Sequence, residues 1–129
     1  IYVCDAFVAQ MVSSLDLDPS THWDNPLADP ATLATFCMFF PIVGLSEELL
    51  FRVYVQTRLT QIMPGRRMLP VLLGAVLFAA VHGYPLSGTL VVLVMGLVLG
   101  FSYQMNGKIP RLVIAHMLNN LLVALFTLV

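Results

Sequence analysis

Glu47, Glu48 and Arg52 interrupt an apolar run that extends from Ala31 to Val53 and is otherwise broken only by Thr32, Thr35 and Ser46. No other feature of the chain limits its fold as much. Hydrophobic residues make up 59% of the 129 and charged residues 10%, against about 45–50% and about 25% in soluble domains. The run is therefore read as membrane-embedded. A charged side chain at mid-bilayer costs about 2.5–3.5 kcal/mol, so three left unpaired would cost roughly 8–10 kcal/mol. Each flanking Leu or Phe returns only about 0.3–0.6 kcal/mol. A membrane helix holds such a cluster only if the charged face is turned toward protein or water. An ionisable cluster in that position is a functional-site candidate.

The remaining charges are segregated. Asp5, Asp16, Asp18, Asp24 and Asp29 fall in the first 29 residues, which contain no Lys or Arg, and every basic residue lies from Arg52 onward. The net charge of −1 gives no electrostatic basis for nucleic-acid binding. Cys4 and Cys37 are too few and too far apart for a metal-thiolate or disulfide framework, and Cys37, in its apolar setting, reads as a small hydrophobe. Residues 1–30 read as a partial N-terminal segment followed by an acidic extracytoplasmic loop, with His22 and Trp23 at the interface. No basic n-region marks a signal peptide, and the start at Ile1 suggests the excised core of a larger protein. The core is expected over residues 31–129.

Four helices are predicted in that core: 31–63, 68–82, 86–105 and 110–129. The first would be about 50 Å long, more than the roughly 30 Å hydrocarbon core. Its amphipathic end is thus expected to project from the membrane or bend. Pro41 and Gly44 offer a kink, and a stricter reading starts a new helix at Ser46 as N-cap. Gly96 and Gly100 form a G-x-x-x-G pattern for close helix approach. Arg58, Arg66 and Arg67 flank the first turn, and Lys108 and Arg111 flank the third. The positive-inside rule puts both turns in the cytoplasm. The expected fold class is all-α: a polytopic transmembrane bundle of four core spans plus a partial N-terminal segment.

Few other strongly polar groups lie within the spans: His82, Gln104, His116, Asn119 and Asn120. Residues four apart share a helix face, which pairs Glu48 with Arg52, Phe78 with His82 and His116 with Asn120. Glu48 and Arg52 can neutralise each other. Glu47 is offset by about 100° and has no basic partner on its own helix. Glu47 lies about 24 Å from the first turn and His82 about 21 Å, so an antiparallel hairpin brings them level. His116 and Asn120 lie about 9 and 15 Å into the last helix, and join the same layer if the first helix projects about two turns into the cytoplasm. Each residue also has a structural reading: a Glu–Arg pair fixes packing, a lone His or Asn bonds helices together, and Phe78 fills a core. Together they suit a general base for water, with imidazole and amide groups to receive an oxyanion.

In this order and spacing the residues resemble the CAAX-protease and bacteriocin-processing (CPBP, or abortive-infection) family of intramembrane proteases. Glu47-Glu48-x-x-x-Arg52, Phe78-x-x-x-His82 and His116-x-x-x-Asn120 are similar to its three motifs, and the resemblance covers roughly residues 26–129. It implies that Glu47, assisted by His82, activates water, that His116 and Asn120 bind the oxyanion, and that Glu48, Arg52 and Phe78 support them. It leaves a metal-free glutamate mechanism and a zinc site of Glu47, His82 and His116 both open. It further implies a peptide or membrane-anchored protein substrate, prenylated or bacteriocin-like, in a bacterial or archaeal plasma membrane. Fuller family members carry additional spans at the front.

Other protease plans lack their residues. H-E-x-x-H is absent, no G-x-S-x-G surrounds Ser46, and no Asp pair lies within a span. Two other classes use the same groups: a non-catalytic immunity or scaffold protein binding a partner in the same cavity, and a proton-coupled carrier, for which no repeat with paired broken helices is visible.

Overall fold

A computed structural model describes residues 30–84 and 86–126. The expected N-terminal segment, the acidic loop and the last residues of the fourth helix lie outside them. Among the described residues the chain is all-helical, with four helices and no strand. Helix α1 is one continuous rod in three parts: α-helical Pro30–Glu48, a π-helical stretch Leu49–Gln56, and α-helical Thr57–Ile62. Three more follow: α2, Met68–Ala80; α3, Leu86–Asn106; and α4, Ile109–Phe126.

The boundaries follow from the turn residues. Gly83 and Gly107, just past α2 and α3, have φ of 66° and 60°, a left-handed conformation that glycine adopts without steric cost. The Gly107 N–H closes α3 by donating to Tyr103 O at 2.8 Å, an αL cap. Two expectations for α1 need correction. Ser46 does not begin a helix, because its hydroxyl donates back to Val43 O at 2.9 Å and the helix runs on through it. Pro41 is accommodated within the α-helical part, and the irregularity lies at Leu49–Gln56, where the helix widens.

The pattern of burial is inverted. Arg52, Glu48, Gln56 and His116 are among the largest fully buried side chains, whereas Met38, Leu86 and Ile62 are 76%, 76% and 70% exposed. Water would reverse that order, since unpaired buried charge is costly and apolar surface gains by burial. A surface of aliphatic side chains around a charged centre suits lipid. Among the described residues one helix, Gly88–Asn106, is long and apolar enough to cross a membrane; Met68–Ala80 is apolar but shorter. Cys37 is a free thiol on the outer face rather than a core residue.

Helix α2 packs closely on α3, the first part of α1 packs on α4, and the π-helical stretch lies against α2. Glycine makes the first contact close: a Cβ on Gly96 would lie 3.2 Å from both Ala75 Cα and Phe78 Cδ1. The apolar core is small and sits where these helices meet, at Phe51, Val71, Ala75, Phe78, Ala79, Leu99 and Leu112.

Candidate active site

The three motifs meet beside this core. Glu47 and Glu48 end the α-helical part of α1, His82 follows the last turn of α2, and His116 sits in the second turn of α4. The expected match in depth holds: Glu47 Oε2 lies 3.9 Å from His82 Nε2 and 3.4 Å from His116 Nε2. Glu48 and Arg52 stand one turn apart, Oε2 to Nε 3.1 Å, both sealed from solvent.

Each imidazole is held through its other nitrogen. His82 Nδ1 lies 2.6 Å from Phe78 O. A carbonyl can only accept, so Nδ1 carries the proton and donates. His116 Nδ1 lies 2.9 Å from Glu48 Oε1. With Glu48 ionised against Arg52, Nδ1–H is again the donor. Both rings therefore turn Nε2 toward the same oxygen of Glu47. The Phe78–His82 spacing matters here because a helical turn is what brings the ring nitrogen onto the carbonyl four residues back.

Phe78 is fully buried and forms the wall of the site. Its ring packs edge-on against Phe51, His82 and His116, with centroids 5.0, 4.7 and 5.9 Å away. The guanidinium of Arg52 lies over it, Cζ 4.9 Å from the centroid, within cation–π range. Exposure within the cluster is uneven. The side chains of Glu47 and His82 are 13% and 14% exposed, against 2% for His116 and none for Glu48 and Arg52. Tyr84, exposed in the turn after α2, has its ring 5.6 Å from that of His82.

The formal charges of Glu47, Glu48 and Arg52 sum to −1. One further proton on Glu47 or His116 makes the buried cluster neutral, the state that low-dielectric surroundings favour. The arrangement can thus hold and hand over a single proton at the Glu47 carboxyl.

A zinc ion held by Glu47, His82 and His116 does not fit these side chains as they stand. Tetrahedral zinc with bonds of about 2.0–2.2 Å keeps its donor atoms roughly 3.3–3.5 Å apart. The Glu47–His116 distance meets that and the 3.9 Å to His82 does not. Among the described residues, no three His, Cys, Asp or Glu groups form a metal-binding set.

Asn120 lies one turn beyond His116 on α4, half-buried like Asn119. Two features were not anticipated from sequence: the contact of His116 with Glu48, and Gln56, a buried amide bonded to α3. The second had a visible signal, since Glu48, Arg52 and Gln56 are spaced four apart.

Residues 29–122 match the profile of the family described as type II CAAX prenyl endopeptidase Rce1-like. No curated protein and no solved structure matches the chain.

Proposed function

Since this chain belongs to the Rce1-like family of type II CAAX prenyl endopeptidases, integral membrane proteases, we propose that it is a glutamate-dependent intramembrane endopeptidase with Glu47 as the base. The observation that carries the reading is the convergence of His82 Nε2 and His116 Nε2 on Glu47 Oε2, in a buried polar cluster of which Glu47 and His82 are the partly exposed members.

The gap of 3.9 Å between Glu47 and His82 is too long for a hydrogen bond. Oε2 itself is sealed, so the attacking water is placed against the exposed part of the Glu47 side chain, beside the similarly exposed His82. That water gives one proton to Glu47 as its oxygen attacks the scissile carbonyl carbon, and His82 Nε2 accepts its other hydrogen bond. The carbonyl π electrons move to oxygen. His116 Nε2–H, supported from behind by Glu48 on Nδ1, and the Asn120 amide receive that oxyanion. Collapse of the intermediate breaks the C–N bond, and Glu47 returns the proton to the departing amine. Glu48 and Arg52 hold His116 and do not touch substrate.

The substrate class is a prenylated C-terminal peptide of a membrane-associated protein, entering past Tyr84 from the bilayer or the cytoplasmic face. The helices form four spans, with the turns carrying Arg58, Arg66, Arg67 and Lys108 on the cytoplasmic side of a bacterial or archaeal plasma membrane. Purified protein in lipid vesicles should release the C-terminal tripeptide of a farnesylated or geranylgeranylated, internally quenched peptide. Glu47→Gln, folded to the same extent, should lower kcat by about 10³-fold or more. Cleavage at the wild-type rate by that variant rules the mechanism out.

A further inference from the structure

Gln56 belongs to none of the three motifs, yet its side chain is as buried as those of Glu48 and Arg52, at 1% exposure. It closes the π-helical stretch that begins just after the two glutamates. Its Nε2 donates to the backbone carbonyl of Gly100 on α3 at 2.9 Å and approaches Gln104 Oε1 at 3.4 Å. The reach depends on glycine: a Cβ at position 100 would lie 3.1 Å from Gln56 Oε1 and 3.2 Å from Val71 Cγ1. Thr57 adds a second link, its hydroxyl lying 3.2 Å from Arg52 O and 3.3 Å from the Tyr103 hydroxyl. The Thr57 N–H meanwhile turns to Tyr54 O, returning the helix to its narrower form.

The angular consequence is large. An α-helix advances about 100° per residue, so residue 56 would stand about 80° round from residue 48. In the widened helix Glu48, Arg52 and Gln56 are all sealed in the same core. The rotation of the glutamates about the α1 axis therefore depends on the wide turns, and the wide turns are fastened to α3 at Gln56. A π-helical insertion of this kind is uncommon and tends to accompany functional sites.

We propose that Gln56, with Gly100 as its receptor, is a positioning residue. It holds the wide turns in register so that Glu48, and not Glu47, meets His116 Nδ1, which leaves Glu47 Oε2 facing His82 and the Glu47 side chain partly exposed. The proposal rests on the endopeptidase reading for its kinetic consequence and on geometry alone for its structural one.

Histidine-selective ¹⁵N spectra of the protein in lipid nanodiscs, assigned by His→Gln substitution, read the second directly. In Gln56→Leu the His116 Nδ1 resonance should leave its wild-type position while size-exclusion behaviour and helicity stay unchanged. On the farnesylated quenched peptide the same variant should lose about tenfold or more in kcat, with KM within about twofold of wild type. A purely structural role would lower the unfolding midpoint and leave both readouts of the folded protein in place, which overturns the proposal. If wild type fails to cleave the peptide, the endopeptidase reading falls, and the His116 resonance still decides the role of Gln56. Should Gln56→Leu not fold, Gly100→Ala keeps every hydrogen-bonding group and displaces the amide, with the same two outcomes.

Discussion

Replacing Arg52 by Met tests the buried ion pair most directly. Glu48 and Arg52 are both fully buried, Oε2 to Nε 3.1 Å. At an effective dielectric constant of about 20, charges at that distance attract by about 5 kcal/mol. Yet the guanidinium N–H groups make no aligned hydrogen bond among the described residues, so desolvation offsets much of the attraction. Methionine keeps most of the aliphatic stem, and the cavity left behind is small. What the variant leaves is a buried carboxylate stripped of its cation. Breaking a buried pair in this way costs about 3–5 kcal/mol. His116, 2.9 Å from Glu48 on the other side, can share the charge and sets the expectation at the lower end, about 3 kcal/mol. Glu48→Gln/Arg52→Met removes both charges and should be within about 1 kcal/mol of wild type, or more stable by up to about 4 kcal/mol. Reversible unfolding by sodium dodecyl sulfate in mixed micelles, followed by circular dichroism, measures all four corners of the cycle. Arg52→Met at wild-type stability, or losses in the two single variants that simply add in the double, would refute the reasoning.

Phe78→Ala should destabilise by about 3–5 kcal/mol, measured in the same micelle titration, because the ring is fully buried against Phe51, His82, His116 and Arg52. Gly96→Ala pushes on the same ring, since its Cβ would lie 3.2 Å from Phe78 Cδ1; it should cost about 1–3 kcal/mol and lower turnover of the prenylated peptide by displacing His82. Asn120→Ala should lower kcat about 10²–10³-fold with little change in KM, as expected for a lost oxyanion donor, and an unchanged kcat removes Asn120 from the site. Extended dialysis against a zinc chelator should leave turnover intact. A loss of activity that added zinc restores would mean that His82 closes on Glu47 around a metal.

The depth of the site was readable because it depends on rise per residue alone. Helices α1 and α2 are joined by a tight turn at Gly65, so counting back from Met63 and forward from Met68 places Glu47 beside His82. The same counting set His116 in their layer on the condition that the end of α1 projects by about two turns. Rotation about the helix axis was not readable. Assigning Glu48 to Arg52 needed only the i,i+4 rule, but the sharing of Glu48 with His116 depends on where α1 faces α4. That in turn depends on the wide turns at Leu49–Gln56, and Leu49-Leu50-Phe51 carries no residue that announces them. The amphipathic half of α1 is expected from its length to project from the membrane or bend. Gln56, sealed against α3, shows that packing continues at least two turns beyond the glutamates.

The two adjacent glutamates have different surroundings because of that rotation, not because of their own chemistry. Glu48 has a guanidinium on one oxygen and an imidazole N–H on the other, and no path to the outside. Glu47, one residue earlier, faces the Nε2 atoms of both imidazoles, and its side chain is 13% exposed. A carboxylate paired with a guanidinium and accepting from an imidazole N–H is the poorer base of the two. A small change in the winding of α1 would exchange their positions and leave the motif intact but the base sealed. On the proposed mechanism the motif E-E-x-x-x-R carries two carboxylates for one reaction, and the helix that follows them decides which is reactive.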